Sequence, residues 1–302
     1  MPRQADPPAR VLVTGAGGFL GRRLLPALTA RGTEVVGLDR PGVAPSPAAA
    51  TWISADLAAP DDLHARLRDV AVDAVVHGGG ISGPMVLADD PGRIWAVNVG
   101  GTAALLDALR PSAPRRMVLC SSMDVYGPIT PAHRGEKQAL DPDTAYGASK
   151  VASEALADGW GRRFGQSVIA LRFGWIYGPG RTTQCSITDR LRAPSPPVAM
   201  RPDQAPGKIA PYLYVDDAVA AVLAALTASA WEYAAVDVAG PDTIAPDAVP
   251  TLVDCLVHDI APPDGLLQPP PPLHRLRQML GVAPAIGLAE GIRRLARSLQ
   301  NA

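Results

Sequence analysis

The sequence predicts a doubly wound α/β fold, in which helices cover both faces of a parallel β-sheet. From Arg10 to about Phe173, short apolar runs alternate with segments of helical pattern. The apolar runs are continuous, which is typical of strands that are buried on both faces. Strands and helices in repeated alternation indicate right-handed βαβ units. After Phe173, Pro and Gly cluster and strands become sparse, so we expect a smaller second lobe there.

Four strands and four helices carry this prediction in the first part of the chain. The predicted strands are the apolar runs at residues 11–13, 35–38, 74–76 and 117–119. The predicted helices lie between and after them, at residues 20–30, 60–69, 94–109 and 146–164. The pattern divides the chain into a loose tail (1–9), a doubly wound domain (10–174) and a second lobe (175–302). Segments of the lobe near residues 212–215 and 235–238 are expected to return to the main sheet.

Composition and charge argue against several classes of function. The net charge is −1 with both signs scattered, so neither nucleic acid nor a membrane surface is an expected partner. The longest nearly apolar stretch, residues 218–231, is too short to cross a bilayer and predicts a buried helix. Three widely separated cysteines and the lack of a signal-peptide pattern favour a reduced, cytoplasmic protein. The five histidines show no metal-binding spacing, so no metal site is expected.

A glycine-rich turn follows the first predicted strand and opens the first predicted helix. Gly15, Gly18 and Gly21 are spaced G-x-x-G-x-x-G, and Leu20 stands where the commoner G-x-G-x-x-G would end. The first glycine permits the tight turn, the second a close approach to a pyrophosphate, and the third close helix packing. Free N–H groups and the helix dipole favour an anion at the helix N-terminus. The turn therefore predicts a dinucleotide site in a Rossmann-type domain.

An acidic residue at the end of the second predicted strand bears on the choice of cofactor. Asp39 lies eighteen residues after Gly21, where a carboxylate can bind the adenosine ribose hydroxyls and repel a 2′-phosphate. NAD is therefore favoured over NADP. Arg40 follows directly and is able to accommodate a phosphate, so NADP stays as the alternative.

The spacing Y-x-x-x-K at Tyr146 and Lys150 indicates a proton-transfer pair. On a helix, residues four apart share a face, so the ammonium is expected beside the phenol. A free tyrosine has a pKa near 10, and lowering it by about 3 units takes roughly 4 kcal/mol of preferential phenolate stabilisation. The lysine and a positive nicotinamide ring are the expected sources. Taken alone, the same spacing also fits a packed tyrosine and a solvated lysine.

A serine follows the fourth predicted strand. Ser122 lies at the carboxyl end of that strand, where open α/β sheets bind their ligands. Its hydroxyl is able to donate to a substrate oxygen and stabilise a developing alkoxide. Ser122, Tyr146 and Lys150 together predict hydride-transfer chemistry on a nicotinamide dinucleotide.

These motifs together resemble the extended short-chain dehydrogenase/reductases, the NAD-dependent epimerase/dehydratase family, over nearly the whole chain. The resemblance is carried in order by residues 15–21, 39, 56–57, 98–102, 122–127, 146–150, 172–178 and 214–217. It implies that Asp56 and Leu57 flank an adenine and that Asn98 supports the proton relay. It also implies that Lys150 binds the nicotinamide ribose.

The predicted site combines a catalytic set with a larger cofactor set. The catalytic set is Ser122, Tyr146, Lys150 and Asn98. The cofactor set is Gly15, Gly18, Phe19, Leu20, Gly21, Asp39, Arg40, Asp56, Leu57, His77, Gly78, Asn98, Tyr146 and Lys150.

A homodimer is the expected assembly, because the family usually pairs its subunits through the helices that carry Asn98 and Tyr146. Small apolar residues on those helices either form this contact or belong to the core of one chain: Ala103, Ala104, Leu105, Ala108, Ala148, Ala152 and Ala155.

Two departures from the family pattern bear on the substrate. The nucleotide-sugar enzymes usually have R-x-x-N-V-Y-G-P, and Trp175 here replaces the Asn that contacts the substrate pyrophosphate. An indole has one donor and a large apolar face, which suits a sugar ring better than a diphosphate. The dehydratases have Thr-Asp-Glu where this chain has Ser122, Met123 and Asp124, so elimination chemistry is not expected. The second lobe also looks short for a nucleotide sugar.

The candidate substrate contacts come from four separate segments. They are Ser82, Ser122, Met123, Asp124, Trp175, Arg181 and Thr182. Arg181 suits a carboxylate or phosphate because its guanidinium binds oxyanions with two parallel hydrogen bonds, or else it is a solvated loop arginine. Asp124 either contacts a substrate hydroxyl or caps the local turn.

The sequence therefore favours an NAD-dependent oxidoreductase that acts on a secondary alcohol or carbonyl of a small hydroxylated substrate. A sugar, a sugar acid or a polyol fits this description, with Tyr146 as the acid/base. The alternative is a sugar or nucleotide-sugar epimerase with tightly held NAD, which uses the same residues. A third hypothesis, a non-catalytic NAD sensor, is disfavoured because the complete Ser-Tyr-Lys set is present.

Overall fold

The computed structural model describes residues 6–192, 207–229 and 232–301, and its strands fall into one large sheet and two small ones. The strands are β1 Arg10–Thr14, β2 Glu34–Asp39, β3 Thr51–Ser54, β4 Ala74–His77, β5 Arg116–Ser122, β6 Ser167–Phe173, β7 Trp175–Tyr177, β8 Tyr212–Tyr214, β9 Tyr233–Val238, β10 Thr243–Ile244 and β11 Leu267–Gln268. The large sheet has the order β3-β2-β1-β4-β5-β6-β9, and all its neighbouring strands are parallel. The predicted doubly wound, Rossmann-type fold is confirmed.

The helices in the described residues pack on both faces of this sheet or, in the second lobe, around β7 and β8. They are α1 Phe19–Thr29, α2 Pro60–Leu67, α3 Pro91–Trp95, α4 Gly101–Ala108, α5 Ala145–Phe164, α6 Ser186–Arg192, α7 Val215–Thr227, α8 Val249–Val257, α9 His274–Leu280 and α10 Leu288–Gln300. Val11 and Val13 of β1 face a core shared with α1 and α7, whereas Leu12 faces a core shared with α2 and α4. Since both faces are buried, the strands read as continuous apolar runs.

The predicted helix over residues 94–109 is interrupted. α3 and α4 are separated by one π-helical turn, Ala96–Gly100, which contains Asn98. Such turns are rare and are found mostly within α-helices at functional sites. Ala104, Leu105 and Ala108 of α4 are buried in the core of this chain, so they are not available for the expected dimer contact.

The second lobe returns to the main sheet at one place. β9 forms the edge strand beside β6, and α7 packs on the core below it. The segment near residues 212–215, by contrast, forms β8 and pairs with β7 outside the main sheet. α6, α8 and α10 contribute side chains to a separate core around β7 and β8. The domain boundary at residues 174 and 175 stays a prediction, and residues 1–5 of the predicted tail lie outside the described residues.

Among the residues that the structure describes, every helix falls short of the length and apolar character needed to cross a membrane. The helix predicted from the apolar stretch at residues 218–231 is α7, which begins at Val215 and ends at Thr227.

Candidate active site

A cleft of about 610 Å³ opens at the carboxyl edge of the sheet. The chain passes from β1 outward to β3 and then back to β4 on the other side of β1, so its direction across the sheet reverses between β1 and β4. Ligands of open α/β sheets bind at such a reversal point. The cleft is lined by the glycine-rich turn, the ends of β2 to β6, and parts of the segments at residues 78–87 and 173–183.

The glycine-rich turn is tight enough to exclude side chains. Gly15 has φ +69°, and a Cβ atom there would lie 2.8 Å from the backbone of Gly78. A Cβ at Gly21 would collide with the carbonyl oxygens of Gly15 and Ala16. The turn therefore leaves a backbone cradle at the start of α1, which fits a pyrophosphate group.

The carboxylate of Asp39 is turned toward this cradle. Its Oδ2 atom accepts a hydrogen bond of 2.8 Å from the N–H of Gly17, and its Oδ1 atom accepts one from Arg40 N–H. Arg40 is exposed and also lines the cleft. Asp39 and Arg40 thus lie where the sequence places the adenosine ribose.

The predicted adenine residues lie one strand further out. Asp56 and Leu57 follow β3, which pairs with β2 so that Ser54 lies opposite Asp39. Both residues line the cleft, and the Asp56 carboxylate pairs with Arg93 of α3 at 3.3 Å. The residues present therefore fit a dinucleotide that lies along the carboxyl edge of the sheet.

The predicted catalytic side chains meet in the same cleft. Ser122 ends β5, and its Oγ atom accepts a hydrogen bond from Asp124 N–H at the start of a 3₁₀ turn. Tyr146 lies in the first turn of α5 and hydrogen-bonds to Ser122 and to the backbone of Gly83. The segment after β4 therefore reaches the phenol hydroxyl through the backbone of Gly83. No motif of the sequence indicated this contact.

The environment of Tyr146 keeps its phenol protonated in the protein alone. Burial raises the pKa of Tyr146, and the negative charge of Asp124 raises it further. The hydrogen bonds from Ser122 and Gly83 lower it, as does the positive charge of Arg181. The depressed pKa that the Y-x-x-x-K spacing predicts is therefore not a property of this chain by itself.

Lys150 lies on the same face of α5 as Tyr146, as its spacing predicts. Its Nζ atom is 5.7 Å from the centre of the Tyr146 ring and donates a 3.0 Å hydrogen bond to the carbonyl oxygen of Cys120. Burial lowers the pKa of Lys150, while Cys120 and Glu154 raise it. The ammonium is therefore held by the backbone of β5, and Lys150 lines the cleft.

Asn98 does not line the cleft. It is buried, and its side chain binds the backbone of Ile81 twice: Oδ1 accepts from Ile81 N–H at 2.8 Å and Nδ2 donates to Ile81 O at 3.1 Å. Nδ2 also donates to Ser149 Oγ. Asn98 thus holds the start of the segment whose Gly83 reaches Tyr146, which makes it a positioning residue in this structure. Its support of the proton relay and its contact with the cofactor stay predictions.

His77 does not line the cleft either, because its ring is buried, and its contact with the cofactor stays a prediction. Its ring lies between the hydroxyls of Thr14 and Thr102, with Nδ1 and Nε2 at 2.7 and 3.0 Å. Burial and the charge of Lys150 lower the pKa of His77 to about 3, so the ring is neutral. Thr14 also accepts from Gly79 N–H, which means that His77 fixes the backbone that forms the cleft floor.

Met123 is the other predicted site residue that the structure removes from the cleft. It is buried and packs in the core below the sheet edge, because the 3₁₀ turn after Ser122 directs it inward. The six remaining substrate candidates line the cleft: Ser82, Ser122, Asp124, Trp175, Arg181 and Thr182. Arg181 donates to the carbonyl oxygens of Ile176 and Thr183, so its bonds fix it to the loop.

A buried charged network behind Ser122 was missed. Arg172 of β6 pairs with Glu154 of α5 at 2.6 Å, and both side chains are buried. Ser121 donates to Glu154, and Arg172 donates to Tyr126, whose hydroxyl donates to Asp237 of β9. The network joins β5, β6, β9 and α5 at the cleft. Glu154 follows Lys150 by four residues, one helical turn, and that spacing is the signal that would have found it.

Comparison with known proteins identifies the family. A model described as the NAD dependent epimerase/dehydratase family matches residues 11–239, which is most of the chain. The chain belongs to this family. It is 31% identical to UDP-glucuronate 4-epimerase 5 of Arabidopsis thaliana over 235 residues, which are 72% of this chain and 53% of that protein. It is 33% identical to dTDP-glucose 4,6-dehydratase of Streptomyces antibioticus over 204 residues, 61% of this chain and 60% of that protein.

The solved structures extend the likeness along the whole chain. MoeE5 in complex with UDP-glucuronic acid and NAD has a TM-score of 0.82 at 25% identity, and the match covers 97% of this chain and 99% of that chain. By contrast, the chain spans about half the length of the curated epimerases that it matches.

These findings decide several predictions. The family, the enzyme class and the cofactor are confirmed, and the cofactor is NAD. MoeE5, whose structure holds UDP-glucuronic acid, is matched over 99% of its length, so this chain is no shorter than a structure that holds a nucleotide sugar. The lack of a metal site stays a prediction; in the described part of the chain, no three His, Cys, Asp or Glu side chains are grouped to hold a metal ion.

Proposed function

We propose that this protein is an NAD-dependent epimerase that inverts a secondary alcohol of a nucleotide-linked sugar. The observation that carries the proposal is one cleft that combines the dinucleotide cradle with Ser122, Tyr146 and Lys150. The likeness to UDP-glucuronate 4-epimerase 5 supports this reaction class over net oxidation. The likeness to MoeE5, whose structure holds UDP-glucuronic acid and NAD, supports a nucleotide-linked sugar as the substrate. The proposal reverses the order in which the sequence ranked the two hypotheses.

The chain's own groups supply the proton transfers. In the oxidising half, Tyr146 takes the proton of the substrate hydroxyl while Ser122 donates a hydrogen bond to the same oxygen. In the cradle of Gly15, Gly18 and Gly21, bound NAD would supply the hydride acceptor for this half and the hydride donor for the return. Tyr146 then gives its proton back to the carbonyl oxygen, and the sugar presents its other face. Lys150 provides positive charge that favours the phenolate as it forms.

Substrate contacts are proposed for the side chains that line the cleft opposite the glycine-rich turn. Arg181, which is fixed by the carbonyl oxygens of Ile176 and Thr183, is proposed to bind an anionic group of the substrate. Ser82 and Asp124 are proposed to bind sugar hydroxyls. Elimination of the dehydratase type is disfavoured, because Met123 offers no acid and is buried away from the cleft.

One observation favours a second candidate, net oxidation or reduction of a free sugar, sugar acid or polyol. Trp175 lines the cleft through a half-buried indole that lies 6.3 Å, centre to centre, from the ring of Tyr212. The face of the indole suits the C–H surface of a sugar ring. Its single N–H offers fewer hydrogen bonds to a diphosphate than the amide that the family usually has at this position.

A set of parallel incubations separates the two candidates. Purified protein is supplied with NAD and UDP-glucuronic acid, and separately with UDP-glucose, free sugars and sugar acids. An epimerase forms the epimer over many turnovers with no net change in absorbance at 340 nm. Accumulation of NADH with a free sugar, and no epimer from either nucleotide sugar, would make the second candidate correct. Trp175→Asn is expected to improve use of the nucleotide sugar if the proposal is correct.

We also propose that the protein is a homodimer that contacts its copy through α4 and α5. Ala103 and Ala155 are exposed on these helices, and Trp95 on the adjoining α3 is 47% exposed. Light scattering at micromolar concentration is expected to give twice the chain mass of 31.4 kDa. A single-chain mass would refute the assembly and leave the catalytic proposal intact.

A further inference from the structure

Arg93 occupies an unusual position at the adenosine end of the cleft. It lies in α3, which follows β4, and its side chain lines the cleft together with Asp56 and Leu57. β4 and β3 lie on opposite sides of β1 and β2 in the sheet. The ion pair of Arg93 Nη2 with Asp56 Oδ2, at 3.3 Å, therefore joins two segments that arrive from opposite sides of the dinucleotide cradle.

The adenosine half of the cofactor belongs at this end for physical reasons. Asp39, at the end of β2, has the position of a ribose-binding carboxylate. β3 is the next strand outward, and Asp56 lies just beyond its end. A base attached to a ribose at Asp39, and lying on the side away from the pyrophosphate, therefore meets the segment that holds Asp56.

The floor of this end is apolar and closely packed, and the ion pair is its polar rim. A Cβ at Gly79 would lie 2.9 Å from Leu57 Cδ1, and a Cβ at Gly101 would lie 2.8 Å from Leu57 Cβ. Leu57 thus packs directly against the backbone of Gly79 and Gly101 at the floor of the cleft. The side chains of Arg93 and Asp56 lie at the rim and are 48% and 38% exposed. A planar guanidinium is well suited to lie against a purine ring.

We propose that Arg93 is a cofactor-retaining residue: held by Asp56, its guanidinium closes the adenosine end of the cleft and slows the release of NAD. α3 begins directly after the segment that reaches Tyr146, and Asp90 caps it by accepting from Arg93 N–H. The position of Arg93 is thereby fixed by its backbone as well as by its ion pair. This inference depends on NAD as the cofactor and does not depend on the epimerase proposal.

The test measures cofactor release in the whole protein. Arg93→Gln keeps a polar side chain of similar length and removes the charge and the planar fork. NADH bound to the protein is displaced with excess NAD, and its dissociation rate is followed by fluorescence in a stopped-flow instrument. We expect release to be about three- to five-fold faster, the range for a part-exposed ion pair with an added ring contact. ADP-ribose should bind about three- to five-fold more weakly for the same reason, whereas nicotinamide mononucleotide should be unaffected.

A matched control excludes a general effect of removing a surface ion pair. Arg110→Gln breaks the Arg110–Asp107 pair, which is similarly exposed and lies after α4, away from the cleft. Its NADH release should equal that of the unmutated protein. If the cofactor-free Arg93→Gln protein melts early, Arg93→Lys keeps the charge and loses the fork, and an intermediate release rate is then expected.

Three outcomes would overturn the inference. They are an unchanged release rate in both Arg93 variants, a slower rate, which would mean that Arg93 blocks the site, and weakening confined to NADP, which would make Arg93 a phosphate contact. None of these outcomes bears on whether a nucleotide sugar is epimerised, so the two proposals fail separately.

Discussion

The cofactor side of the cleft is formed mainly by backbone groups, whereas the substrate side is formed by side chains. On the cofactor side, the glycine-rich turn excludes side chains, and the Asp39 carboxylate accepts a hydrogen bond from the N–H of Gly17. On the substrate side, the surface consists of side chains from four separate segments, which include Ser82, Asp124, Trp175 and Arg181. A backbone cradle tolerates few sequences, whereas a surface of side chains changes with each substitution.

This difference explains why the family is readily identified and the substrate is not. Glycine spacing and an acidic residue at the end of β2 follow from the demands of a dinucleotide, which all relatives share. Trp175, by contrast, is a single departure on a loop-rich surface, and its consequence depends on neighbours that no spacing rule places. The predictions below probe first the chemistry where the two sides meet, then the backbone cradle, and last the electrostatics of the substrate side.

The largest expected effect belongs to the phenol hydroxyl of Tyr146, which lies where the two sides meet. Tyr146→Phe removes the proton carrier, so turnover should fall roughly 10²-fold or more. NAD affinity should stay near that of the unmutated protein, because the hydroxyl contacts Ser122 and Gly83 within the chain. Steady-state kinetics, equilibrium NAD binding and a melting curve test this together. Retention of most activity would show that another group carries the proton.

The next effect tests whether the backbone alone forms the cofactor side. Gly15→Ala forces a side chain into the left-handed region and places its Cβ 2.8 Å from the backbone of Gly78. We expect NAD affinity to fall about ten-fold or more, since strain of about 1–2 kcal/mol adds to the collision.

Gly42 provides a matched control for this prediction. It has φ +86°, and nothing lies within 4 Å of a Cβ placed there. Gly42→Ala therefore carries similar backbone strain without a collision in the cradle. Isothermal titration with NAD should distinguish the variants, and equal losses in both would mean that strain, and not the shape of the cradle, controls binding.

Most of the fold and the cofactor side could be predicted from the sequence. The strands and helices that cover the main sheet are periodic and long, and the apolar runs of β1, β2, β4 and β5 lie within the observed strands. β3 was missed because Thr51–Ser54 is short and carries polar residues at both ends. β6 is not among the predicted strands although its interior is apolar, and the buried Arg172 near its end belongs to the family motif at residues 172–178.

What the sequence could not supply was contact between distant segments. His77 looked like a cofactor residue because it ends β4, yet its register with Thr14 places two polar side chains side by side inside the protein. Asn98 belongs to a recognisable motif, but only the π-helical turn and the path of Ile81 show what its amide binds. In both cases the missing information was which distant segment lies beside the residue, and residue types do not encode this.

A smaller effect concerns cofactor choice, where one side chain joins the backbone cradle. Asp39→Ala should narrow the preference for NAD over NADP several-fold, because it removes the charge that repels a 2′-phosphate. It also removes the acceptor for Gly17 N–H, so both cofactors should bind more weakly. Asp39→Asn keeps an acceptor oxygen without the charge and should change the ratio alone. If the unmutated protein uses NADP as well as NAD, Arg40 governs this pocket.

The smallest effect is electrostatic and lies on the substrate side. Burial and the charge of Asp124 raise the pKa of Tyr146, while the charge of Arg181 lowers it. The oxidising step needs the phenolate, so its rate should increase with pH through the pKa of Tyr146. Asp124→Asn removes a negative neighbour, lowers that pKa and shifts the rise to lower pH, whereas Arg181→Gln shifts it to higher pH. Both shifts should be a fraction of a pH unit, because burial is the larger cause and stays unchanged.

The measurement is the pH profile of kcat, which reports groups in the substrate complex and is insensitive to changed substrate affinity. Shifts of opposite sign would show that the substrate side tunes the proton carrier, and shifts of the same sign would show that the two residues act through packing.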